Sequence, residues 1–164
     1  MNILKGTLFF IGLFVLSRLV PHPPNFTPLI AAVIFLPFIS KSKLGMALPI
    51  FVMLISDLII GFHGQMLWVY GGFALIGLCS YIFYLPVFSR VLVLSVFSPT
   101  IFFLITNFGV WQGSPMYDQI AVGLFTSYAM GLPFFANSLM ASVLFSLSFF
   151  AIYKVFVNQR EVLN

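Results

Sequence analysis

The residues able to do chemistry in this chain gather around three short polar turns in an otherwise apolar sequence. Arg18, His22 and Asn25 lie in or beside the first, PHPPNFTP at 21–28. Asp57, His63, Gln65 and Trp68 surround the second, FHGQ at 62–65. Asn107, Trp111, Tyr117 and Asp118 surround the third, QGSPMYD at 112–118, and Tyr128 and Asn137 follow it. Such a set suits non-covalent recognition, in which aromatic faces hold a flat solute while amides and charges fix its orientation. The candidate substrate-binding residues are Arg18, Asn25, Asp57, Trp68, Asn107, Trp111, Tyr128 and Asn137. The plainer reading, a polar rim facing water, stays open at this point.

Bond-making chemistry has little to stand on. The histidines and acids match no compact ligand spacing such as HExxH, so no metal site is expected. There is no phosphate-binding GxxxxGK[ST] loop and no nucleophile elbow, and the lone Cys79 lies in an apolar run without a partner cysteine. No catalytic residue and no cofactor are assigned. The bases are scattered singly apart from Lys41 and Lys43, so no basic stripe can track nucleic acid. Arg18 and Asp57 are the only opposite formal charges in or near apolar segments. Because hydrocarbon leaves neither a cheap unpaired state, they are expected within reach of each other, as a structural pair or as a solute contact. On the fifth segment Thr100, Leu104, Asn107 and Trp111 share one helical face, expected to point inward. Ser138, Ser142 and Ser146 recur every four residues, a small-residue stripe suited to close helix packing.

The elements that position these residues follow from composition. The chain has 164 residues, 62% hydrophobic and 6% charged, with a mean hydropathy of +1.15, whereas soluble domains carry roughly a quarter charged residues. An all-α integral membrane protein is expected, forming a single transmembrane domain over 1–164. At about 20 residues per crossing, the apolar segments 4–20, 29–40, 44–61, 66–86, 91–111 and 133–157 read as six transmembrane helices. The first resembles a signal-peptide core, but Arg18 stands where a small-residue cleavage site is expected, so it reads as a retained span. Gly131 and Pro133 divide the last uncharged stretch, making 119–131 a short re-entrant or interfacial helix before the last span. With both termini cytoplasmic, Lys5, Lys41, Lys43, Arg90, Lys154 and Arg160 fall on one side and Arg18 alone on the other. The polar turns then face outward.

The segments PHPPNFTP (21–28), SDLIIG (56–61), FFLITNFGVW (102–111) and GLPFFANSL (131–139) resemble an uncharacterised family of small bacterial membrane proteins. That family is similar to the substrate-binding S components of energy-coupling-factor transporters, which capture vitamins and related micronutrients. The resemblance implies an S-component-like bundle in the bacterial inner membrane, an outward-facing pocket and a first loop that helps to close it. It implies a small-molecule solute and a transmembrane coupling subunit with its ATPases as partners, beside the lipid bilayer. Asn25, Asp57, Asn107, Trp111 and Asn137 carry the motif positions. The chain departs from S components on the first segment, where an Ala-xxx-Ala pattern is replaced by Gly6, Gly12 and Ser17. The alternative class is a non-transporting structural or accessory subunit of a larger membrane complex.

The charge pattern makes topology directly testable. A reporter fused after Asn164 is expected in the cytoplasm and one inserted near Ser114 outside; a C-terminus outside excludes the six-span reading.

Overall fold

The computed structural model describes residues 11, 12, 14–40, 44–83 and 87–162. The start of the first apolar segment with Lys5, the charged turn at 41–43 and Pro86 therefore lie outside the described residues. The described chain forms six helices and no strand. α1 includes residues 11, 12 and 14–19; α2 is Leu29–Ser40, α3 Leu44–Ile60, α4 Met66–Ile82, α5 Phe88–Gly113 and α6 Ala121–Val162.

These segments become helices because apolar runs must satisfy their own backbone groups wherever water is absent, and a helix does so within one segment. Their ends lie at the polar turns. Gly61 closes α3 with φ +107°, a value that side-chain-bearing residues rarely adopt, and its N–H reaches the Asp57 carbonyl at 2.9 Å.

α2 is the centre of the bundle. Ala31, Ala32, Val33, Ile34 and Phe35 are at most 2% exposed, and the helix touches α3, α4, α5 and α6. That placement changes the expected count of crossings. Twelve residues of α2 extend only about 18 Å, against about 30 Å of hydrocarbon, and all sides of its middle are used for packing. Among the described residues two helices, not six, are long and apolar enough to cross a membrane: α5 and the Ala121–Val155 part of α6; Ala47–Ile60 and Met66–Ile82 are shorter apolar helices. Two such helices point to membrane association. Large apolar side chains also face outward, among them Leu67 at 79% exposed and Phe125 at 74%, as surfaces in contact with lipid do.

The division expected at Gly131 and Pro133 is absent. α6 runs unbroken from Ala121 to Val162 with Pro133 inside it, so 119–131 is no separate re-entrant helix. Proline forfeits one backbone bond, which is tolerated in an apolar helix packed against neighbours; the buried Pro49 and Pro99 lie inside α3 and α5 in the same way. Gly131 serves proximity instead of bending, since a Cβ there would overlap the Asn107 carboxamide. Gly109 of α5 similarly admits the Trp68 ring of α4. Ring pairs fasten other seams: Phe14 and Phe35 both meet Phe149, with centroids 6.4 and 6.0 Å away, and Phe73 meets Phe102 at 5.0 Å. Ser138, Ser142 and Ser146 are buried at 3%, 0% and 0%, so the small-residue stripe is used inside the bundle.

Close approach at Gly109 predicts a contrast between two glycines. Gly109→Ala should lower stability by about 1–3 kcal/mol through overpacking, read as a fall in melting temperature. Gly71→Ala, where a Cβ meets nothing within 4 Å, should leave it unchanged or raise it by up to about 1 kcal/mol.

Candidate functional site

Asp57 sits on α3 one turn before its end, with a side chain only 1% exposed. The two carboxylate oxygens are engaged differently: Oδ1 faces a guanidinium as an ion pair without a hydrogen bond, and Oδ2 accepts one. Arg18 Nη1 lies 2.7 Å from Oδ1, and the Tyr70 hydroxyl donates to Oδ2 at 2.8 Å. The same Nη1 donates to the Met53 carbonyl at 3.1 Å and to Ser56 Oγ. The local sequence explains this convergence. Met53, Ser56 and Asp57 occupy one turn of α3 and present one face. Tyr70 and Asp57 stand at nearly equal distances from the 61–65 turn, so the α3–α4 hairpin brings them together. Arg18 lies in the last turn of α1, shortly before the prolines begin. Removing one partner of such a pair leaves the other charge uncompensated in the interior.

Above the pair lies a cavity of about 310 Å³. Arg18, His22, Asn25 and Thr27 enter it from the first connection, and His63 from the second. Phe73 of α4, Phe102 of α5 and Ser138 of α6 complete its wall. A second cavity of about 380 Å³ adjoins it and shares Asn25, Val69 and Phe102. Its own lining includes Gln65, Thr106, Asn107, Tyr117, Ser127 and Phe134. The three polar turns thus meet at one end of the bundle. The buried Gln65 amide oxygen has no hydrogen-bond partner among the described residues.

The 21–28 connection covers both cavities through Asn25, whose φ of 63° is left-handed. Asparagine tolerates that conformation better than most residues, and the turn closes through Phe26 N–H to Pro23 O at 2.9 Å and Thr27 N–H to Asn25 O at 3.1 Å. Two contacts tie it to α6. Asn137 Nδ2 donates to Pro24 O at 3.0 Å, and the Phe26 and Phe145 rings meet edge-on at 6.0 Å.

Of the eight residues expected to bind a solute, Arg18, Asn25 and Asn107 line these cavities. The other five line neither of the two, and each is engaged elsewhere. Asp57 is beneath Arg18. Trp68 packs on Gly109 and Phe108. Trp111 donates its Nε1–H to Asp118 O at 2.9 Å, while Gln119 Nε2 donates to Trp111 O at 2.7 Å, fastening the third turn. Tyr128 donates to Leu104 O at 2.8 Å, joining α6 to α5. Asn137 holds the first loop, as described above.

The expected polar face of α5 is rotated from its true position. Leu104 is 49% exposed and Thr100 bonds its own helix at Val96 O, whereas Phe102, Thr106 and Val110, spaced by four, border the second cavity with Asn107 at their flank. Tyr70 and Ser56 were not singled out from the sequence; the hairpin spacing from Asp57 is the signal that finds Tyr70. Among the described residues no three His, Cys, Asp or Glu side chains are grouped to hold a metal ion.

The profile of a family of unknown function, DUF6580, matches residues 2–163. The chain belongs to the DUF6580 family. No curated protein and no solved structure matches it. The buried pair and the two cavities therefore describe a DUF6580 site from its own geometry.

The pair yields a double-mutant prediction for this DUF6580 protein. Asp57→Asn or Arg18→Gln alone should destabilise it by about 3 kcal/mol, and the double variant should recover much of that loss. Melting temperatures of the four proteins give the coupling; strictly additive losses exclude a stabilising pair.

Proposed function

We propose that this DUF6580 protein binds and transports a small solute, in the manner of the S components of energy-coupling-factor transporters. In this reading it is a multi-pass protein of the bacterial inner membrane with both termini cytoplasmic, and its pocket opens outward to take up a vitamin-like molecule or related micronutrient. A coupling subunit with ATPases is the partner class that the sequence resemblance brings.

The observation that carries this reading is the pair of adjoining cavities. Their sizes fall in the range of small-molecule sites, roughly 300–1,000 Å³, and aromatic walls combine with a few converging amides, hydroxyls and one guanidinium. A polar rim serving only as a water-facing surface does not need a loop folded over a half-enclosed space around one left-handed residue, Asn25. An accessory subunit would dock on a larger complex through a small-residue stripe such as Ser138, Ser142 and Ser146, and these three are buried inside the bundle.

A melting-temperature screen of the purified protein against vitamins and their precursors tests the reading. A solute at about 100 times its Kd adds roughly 2.7 kcal/mol to apparent stability, so a true ligand gives a clear rise; no rise with any solute counts against the proposal. Asn25 then separates loop shape from recognition. Asn25→Gly keeps the left-handed turn and removes the amide, and should weaken binding by roughly one to two decades with little change in stability. Asn25→Ala should lose stability as well, because alanine is strained at that φ.

A further inference from the structure

Arg18 is only partly used by the interactions that hold it. All three of its contacts, to Met53 O, Ser56 Oγ and Asp57 Oδ1, are made by Nη1. The opposite edge of the guanidinium, Nε–H and Nη2–H, has no partner among the described residues, although the side chain is only 18% exposed and lines the first cavity. These two donors are coplanar and parallel, the fork that matches the two oxygens of a carboxylate. Neither nitrogen is a buried unpaired atom, so this edge is open to the cavity and available to an acceptor that enters it.

The surroundings select the acceptor. No Asp or Glu lines either cavity, and the nearby Asp57 is screened from the first, with Arg18 on one oxygen and Tyr70 on the other. A cationic solute therefore finds no anion to pair with and meets a guanidinium. An anionic one finds the fork, with the Asn25 amide and the Thr27 hydroxyl on the same wall to serve oxygen lone pairs that the fork leaves free. Asp57 neutralises Arg18 while the pocket is empty, which lets a buried cation wait for its ligand without an uncompensated charge.

From this geometry we infer that the solute is a small organic carboxylate, its carboxylate docked on the Nε/Nη2 edge of Arg18 and its body lying along Phe73, Val69 and Phe102. The inference rests on the solute-binding reading and specifies the chemical class taken by the same site.

Benzoate and benzamide are suitable probes because they share shape and differ in charge. The chain has only three arginines, Arg18, Arg90 and Arg160, so ¹⁵N-arginine labelling resolves the Arg18 side chain, assigned by elimination with Arg90→Lys and Arg160→Lys. A ¹³C-methyl label on Met53, which also lines the first cavity, reports occupancy whatever the ligand's charge. Benzoate is expected to shift both signals and to bind at least about tenfold tighter than benzamide. Arg18→Lys, which keeps a cation for Asp57 but lacks the fork, should remove that preference. Equal affinities with the Arg18 signal unmoved would overturn the carboxylate assignment and leave solute binding intact. If neither probe moves Met53 or Arg18, the cavity does not admit solutes of this size and both readings fall. The comparison of acid with amide on the unaltered protein decides the matter even where Arg18→Lys does not fold.

Discussion

Asp57 is a carboxylate on an apolar helix at 1% exposure, and the arrangement of this end of the bundle follows from supplying it with partners. A buried carboxylate without a countercharge is expensive in such a medium. Arg18 supplies the countercharge at Oδ1 and Tyr70 a hydrogen bond to Oδ2, and together they fix α1, α3 and α4 relative to one another. The floor of the first cavity is therefore built from groups already committed to each other. The loop that starts shortly after Arg18 inherits its position from that clasp.

Away from the clasp the bundle is held by closeness more than by polarity. Glycines at 109 and 131 let α5 approach a tryptophan on one side and an asparagine-bearing seam with α6 on the other. Where lipid and protein interior are equally apolar, such contacts derive from dispersion and fit rather than from the hydrophobic effect. The same logic explains why α2 is apolar on every side: it is enclosed by α3, α4, α5 and α6 and has no face to leave polar.

Helix positions were largely legible in the sequence because proline, glycine and polar clusters mark the turns; α2 begins and ends where the apolar run does, at Leu29 and Ser40. The proximity of Arg18 and Asp57 was legible for an energetic reason, since two opposite charges near apolar segments have few acceptable places. What composition could not show was three-dimensional allocation. Hydropathy reads α2 as a crossing because central burial and lipid contact require the same residues. Gly131 with Pro133 reads as a break, yet the first serves contact with Asn107 and the second is carried within a continuous helix. The α5 face was misplaced because a polar side chain can be satisfied by its own helix: Thr100 bonds Val96 O and Asn107 bonds Phe103 O, so polarity alone does not point to the interior. Trp111, Tyr128 and Asn137 were recognisable as polar-tipped residues, but whether such a tip meets a solute or a nearby carbonyl depends on distances no spacing encodes.

The connection over the cavities is tied to α6 by one exposed hydrogen bond, Asn137 to Pro24, and one edge-to-face ring pair, Phe26 with Phe145. Contacts of these kinds contribute about 0.5–1.5 kcal/mol each. A fastening of about 1–3 kcal/mol is undone in roughly one molecule in six at the weak end and fewer than one in a hundred at the strong end. Either fraction replenishes itself on the timescale of loop motion, nanoseconds to microseconds. Opening of this segment is consequently a spontaneous event of the unaided chain, with no energy source needed to lift it.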